Sequence, residues 1–108
     1  MVNPTNYKVG LVIYPGMTQL DITGPQQVFA FMPNTEIHIL WKSLKPVTSS
    51  DHLTILPTTT FADCPPLDVL CVPGGPGQVE MMRDWELLEF LQNRAKQQNI
   101  SHLYVLAP

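Results

Sequence analysis

An α/β domain built on a mainly parallel sheet is the fold class this sequence predicts, and three observations carry the prediction. Short apolar, β-branched runs recur along the chain: "KVGLVIY" at 8–14, "LDVLCV" at 67–72 and "HLYVLA" at 102–107. Helix-like segments lie between them. The runs are apolar almost throughout rather than alternating. Such runs fit strands covered on both faces, as happens when helices cross over a parallel sheet.

Taken in order, residues 8–14 read as a buried strand that ends at the turn Pro15–Gly16. Leu20, Gly24, Val28 and Phe31 then recur at helical spacing and predict a helix over 19–32, with a kink or a fresh start at Pro25. "EIHILW" at 36–41 alternates polar and apolar residues and predicts a second strand. The Thr-, Ser- and Pro-rich stretch 42–62 predicts a small hairpin, with short pieces around Val47 and Thr54–Leu56 joined by "SSDH". "LDVLCV" is the next buried strand and runs into the loop "PGGPG". Asp84 is placed to cap a helix reaching about Gln97, with Leu88, Leu91 and Ala95 on one face. Glu86 and Glu89 lie early in that helix and Arg94 and Lys96 late, which suits its dipole. "HLYVLA" supplies the last strand. Function in such sheets gathers at the carboxyl ends of the strands. There Pro15–Asp21, the loop 73–78 and Ala107–Pro108 are expected to converge.

Composition bounds the chemistry. The chain has 108 residues, 44% of them hydrophobic, enough for the core of one globular domain. Its net charge is -3 and its six Lys and Arg are scattered, so no nucleic-acid partner is expected. No apolar run approaches the roughly 20 residues that span a bilayer, and "MVNPTNYK" is not a leader, so no membrane association is expected. Two cysteines, Cys64 and Cys71, make no disulfide framework and point to a reducing cytoplasm. His38, His52 and His102 lie far apart, and no Cys/His spacing suits zinc, so neither metal nor cofactor is expected.

The glycine loop "CVPGGPGQVE" at 71–80 is the feature most open to a chemical reading. A phosphate cradle of the Walker type needs a Gly-Lys pair, and no lysine lies near 74–80. A dinucleotide fingerprint started at Gly75 and Gly77 would place Glu80 at its third glycine, where a carboxylate repels a pyrophosphate. An oxyanion site fits better, because Pro-Gly-Gly at a strand end exposes backbone N–H groups to the cleft. Asp21, in "LDITGP", could face the same cleft as a general acid or base. A plain turn, with glycines supplying positive φ, and an Asp serving only the helix dipole, stay open at this point.

Three segments in order, "GLVIYPGMTQLDITGPQQVFAF", "HILWK" and "PTTTFADCPPLDVLCVPGGPGQ", resemble the ThiJ/PfpI superfamily of class I glutamine-amidotransferase-like proteins. Within it the sequence is most similar to isonitrile hydratases, and next to the small-molecule-sensing domains of AraC-type transcription regulators. The resemblance implies a flavodoxin-like three-layer sandwich, of which residues 1–108 form the N-terminal half. It implies that Asp21 is the acidic residue that handles protons beside a cysteine nucleophile, and that Gly74 and Gly75 form the oxyanion loop. The reaction implied is hydration of an isonitrile to an N-substituted formamide, through a thioimidate. In the family the strand matching "HLYVLA" enters a nucleophile elbow, typically Cys-Thr-Gly, whereas here Ala107–Pro108 follow. The expectation is therefore a chain without its nucleophile cysteine, inactive alone, aggregation-prone, and partnered by a small-molecule substrate together with a second copy or a completing C-terminal segment.

Overall fold

The computed structural model describes residues 7–97 and 102–105. Five strands form one parallel sheet: β1 (Tyr7–Val12), β2 (Thr35–Trp41), β5 (Thr59–Thr60), β6 (Val69–Val72) and β7 (His102–Val105), in the order β5-β2-β1-β6-β7. Among the described residues three helices accompany them: α1 (Leu20–Ala30), α2 (Gln78–Met81) and α3 (Trp85–Gln97). A separate antiparallel hairpin is made by β3 (Val47–Thr48) and β4 (Thr54–Ile55), joined through the expected "SSDH" turn.

The period of two along β1 divides the core between the two faces of the sheet. Val9, Leu11 and Ile13 pack with Ile22 of α1, Met17 and Val47 on one side. Val12 packs with Leu40, Leu67, Leu70, Leu87 and Phe90 on the other, beneath α3. Both faces are thus covered, which is why β1 reads as a continuous apolar run rather than an alternating one. Gly10 belongs to the second face. A Cβ there would meet Leu67 at 2.6 Å and Leu40 at 2.8 Å, so the three-leucine cluster closes over a bare backbone.

The chain starts in the middle of the sheet. It moves outward from β1 through α1 to β2 and β5, then returns to the other side of β1 as β6 and continues through α3 to β7. With right-handed crossovers, outward movement in opposite directions puts α1 and α3 on opposite faces, and the core clusters have them there. The reversal also leaves a topological switch point between the carboxyl ends of β1 and β6, where α/β sheets open a crevice.

The helices depart from the sequence expectation in three ways. Pro25 does not restart α1, which is one helix from Leu20 to Ala30 and lacks the bond that residue 25 would give the Asp21 carbonyl. Gly24 before it has no Cβ to clash with the proline ring, which eases the helical conformation at that position. The stripe Leu20, Val28 and Phe31 faces outward, the residues 68%, 62% and 80% exposed, while Ile22 is buried and Phe29 packs partly against the core. In α3 the buried stripe is Leu87 and Phe90, with Leu91 beside it. Leu88 and Ala95, expected on the buried face, are exposed. Both helices carry apolar residues on neighbouring stripes, and periodicity alone does not choose between them. Residues 106–107, the end of the predicted last strand, lie outside the described residues.

Asp84 caps α3 as its sequence position implies: its Oδ1 accepts the Leu87 N–H at 3.2 Å, and its Oδ2 pairs with Lys42. Partial desolvation opposes ionisation of Asp84, but the Lys42 ammonium and the helix N–H groups outweigh it and hold the carboxyl below its usual range. A carboxyl depressed in the folded state contributes stability that is present above its unfolded value and lost as pH falls through the folded one. Asp84→Asn keeps a capping side chain but removes the charge. The substitution is expected to lower stability at pH 7, and the gap to wild type should shrink toward zero below about pH 4. Urea unfolding across a pH series checks this.

Candidate functional site

The switch point is built by two turns, Ile13–Gln19 after β1 and Pro73–Gly77 after β6. They touch backbone to backbone. The Thr18 N–H donates to the Gly74 carbonyl at 2.8 Å, and the Gly77 N–H donates to the Gly16 carbonyl at 2.9 Å. No side chain fits between them. At Gly75, φ is +136° and a Cβ would lie 2.4 Å from the Thr18 nitrogen. At Gly77 a Cβ would lie 2.2 Å from the Pro15 oxygen. Gly16 supplies the tight turn from the other side with φ +80°.

This contact sets the predicted site residues against one another. Asp21 lies in the first turn of α1 and is half-buried, where the helix dipole favours its negative charge. Its Oδ2 accepts the Gly74 N–H at 3.1 Å, across 53 residues of sequence. The Gly74 carbonyl is held by Thr18, and no peptide bond among the described residues is cis. In a trans peptide the C=O and N–H point opposite ways, so the Gly75 N–H is directed away from Thr18. Among the described residues no acceptor takes that N–H. Asp21, Gly74 and Gly75 are therefore brought together, and the third expected segment, Ala107–Pro108, lies outside the described residues.

Tyr14 belongs to the same edge and is a site residue that the sequence pattern alone does not single out. Its ring is buried, and its hydroxyl donates to the Pro73 carbonyl at 2.8 Å. Burial, with the charge of Asp21 adding to it, pushes the phenol up to about 12, which keeps it a neutral donor. The signal in the sequence is a tyrosine closing an apolar run, where a buried ring demands a partner for its polar tip.

The two cysteines stand apart from this chemistry. Cys71 is buried within β6, and burial pushes its thiol up to about 11. Cys64 is also buried, and desolvation raises its thiol despite the opposing charge of Arg94. Neither thiol is a ready thiolate at neutral pH. His38 bonds to Thr59 and pairs with Glu36 on β2, and His52 occupies the exposed hairpin turn. Among the described residues no cluster of three His, Cys, Asp or Glu could hold a metal ion, and no helix is long and apolar enough to cross a membrane.

A parallel sheet ordered β2-β1-β6-β7, helices on both faces and a glycine loop at the switch point define a flavodoxin-like α/β protein. Residues 7–101 match the DJ-1/PfpI family, and the chain belongs to that family. It is 49% identical over 90 residues to an isonitrile hydratase of Pseudomonas putida, an alignment that covers 83% of this chain and 40% of the relative. A ThiJ/PfpI family protein from Pseudomonas syringae superposes with a TM-score of 0.87 at 37% identity, over 93% of this chain and 41% of that structure. DJ-1beta of Drosophila melanogaster shares the fold at a TM-score of 0.68 and 21% identity, over 82% of this chain and 49% of its own. The chain thus spans about two fifths of the length of the isonitrile hydratase it matches.

The interlock generates its own test. Gly75→Ala forces a methyl group into the Thr18 and Met17 backbone at a φ that L-residues avoid. The expected cost is about 2 kcal/mol or more, read as a lowered urea midpoint.

Proposed function

We propose that these residues are the N-terminal part of an isonitrile hydratase of the DJ-1/PfpI family, which converts an isonitrile and water into an N-substituted formamide. The observation that carries the reading is the Asp21 carboxyl held on the Gly74 N–H at the switch point, beside the outward-directed Gly75 N–H. The 49% identity to the Pseudomonas putida isonitrile hydratase supports it.

In this reading a cysteine thiolate from a completing C-terminal segment adds to the isonitrile carbon, and Asp21 delivers a proton to that carbon. The product of the step is a thioimidate, R–N=CH–S–Cys. Water then adds to the same carbon, with Asp21 taking up one of its protons, and the Gly75 N–H faces the negative charge that develops on oxygen. The second proton of the water passes to the nitrogen, the C–S bond breaks to return the thiolate, and R–NH–CHO is released with Asp21 again protonated. Neither Cys64 nor Cys71 can begin this sequence, since both are buried, high-pKa thiols. The partners the reading requires are a small-molecule isonitrile and the segment that carries the cysteine.

The test is to assay cyclohexyl isocyanide with this chain alone and with the chain fused to the C-terminal part of the Pseudomonas putida isonitrile hydratase. No formamide is expected from the 108 residues alone, and turnover is expected from the fusion. Asp21→Asn in the fusion is expected to lower turnover by about 100-fold or more. A folded fusion with a reactive cysteine and no formamide product contradicts the assignment, as does a fully active Asp21→Asn variant.

A further inference from the structure

We infer that Tyr14 is a positioning residue for the acid–base and oxyanion groups, acting through the single peptide plane that joins Pro73 to Gly74. Both ends of that plane are held by side chains from across the switch point, one in the turn after β1 and one in the first turn of α1. The Tyr14 hydroxyl donates to its carbonyl oxygen at 2.8 Å, and its N–H donates to the Asp21 carboxyl at 3.1 Å. A peptide group is rigid, so fixing its oxygen and its nitrogen fixes its orientation.

The proline makes this clamp decisive. Its ring already sets φ of residue 73, so the plane can swing only through the two torsions that flank it, ψ of Pro73 and φ of Gly74. Pro73 is itself fully buried, and among the described residues Tyr14 is the donor to its carbonyl. With the hydroxyl in place, the Gly74 N–H stays on Asp21. The next peptide, whose carbonyl is tied to Thr18, then keeps the Gly75 N–H directed outward. Phenylalanine would fill the same buried space at position 14 but could not hold the plane. A tyrosine at that position therefore serves more than packing.

The clamp is a property of this chain's geometry and does not depend on the reaction. Its catalytic consequence rests on the hydratase reading, and the experiment separates the two. On the full chain, the Gly74 amide resonance is followed by NMR as Asp21 is titrated in acid. It is expected to move with the carboxyl in wild type and to stay still in Asp21→Asn. In Tyr14→Phe most of that movement should be lost while the amide resonances of β1 and β2 keep their positions. A folded Tyr14→Phe chain whose Gly74 amide titrates as in wild type overturns the inference.

If Tyr14→Phe fails to fold, wild type alone decides. The Tyr14 hydroxyl proton should be a slowly exchanging resonance with a nuclear Overhauser contact to the Gly74 amide, and its absence overturns the inference. In the active fusion, Tyr14→Phe should lower kcat by about 10-fold with KM little changed, the mark of misplaced groups rather than lost binding. An inert fusion defeats the hydratase reading, whereas the role of Tyr14 is still decided by the amide titration.

Discussion

Two turns at one end of the sheet approach until their backbones touch, and most of what is distinctive in this structure depends on that contact. Gly75 and Gly77 have no room for a Cβ because Thr18 and Pro15 occupy it. The two hydrogen bonds that close the contact, Thr18 to Gly74 and Gly77 to Gly16, run in opposite directions between the turns. A longer loop or a bulkier residue would hold the turns apart and separate Asp21 from Gly74. The glycines are therefore a condition of the site and not merely of the turn.

The rest of the architecture supports the first turn from other sides. The hairpin β3–β4 docks on it through the Gly16 N–H to the Thr48 carbonyl at 3.0 Å and the Ser50 N–H to the Met17 carbonyl at 2.8 Å. Met17 is wholly buried beneath it in the core shared with α1. Tyr14 reaches across to the Pro73 carbonyl. The turn after β1 is thus fixed by the hairpin, the core and the glycine loop together. This kind of over-determination holds Gly75 at φ +136°, a conformation open to glycine and closed to residues with a Cβ. The helix α1 begins two residues after Thr18, so its first turn, and Asp21 with it, inherits that position.

Much of this is legible in the sequence, for physical reasons that differ by element. β1 and β6 are readable because strands buried on both faces must be apolar throughout, and the hairpin because "SSDH" is strong turn chemistry. The convergence of Asp21 with Gly74 and Gly75 follows from strand order, since loops after neighbouring parallel strands share one edge. The bond between Asp21 and Gly74, 53 residues apart, does not follow, because it depends on how closely the two turns can dock. β5 leaves little trace as two threonines at an edge, and α2 as a single helical turn. The faces of α1 and α3 are ambiguous because each helix carries two adjacent apolar stripes, and only packing selects Ile22 over Leu20 and Leu87 over Leu88. Tyr14 reads as one more apolar residue in its run, and only the fold places its hydroxyl on Pro73.

The two hydrogen bonds between the strand-end turns require that the turns stay locked to each other in solution. Amide hydrogen exchange at Thr18 and Gly77 tests it most directly, because their N–H groups make the bonds that join the turns. Both are expected to exchange as slowly as the amides of β1, opening only with the sheet itself. Exchange at the rate of an exposed loop, with β1 still protected, would show that the turns part freely and would contradict it.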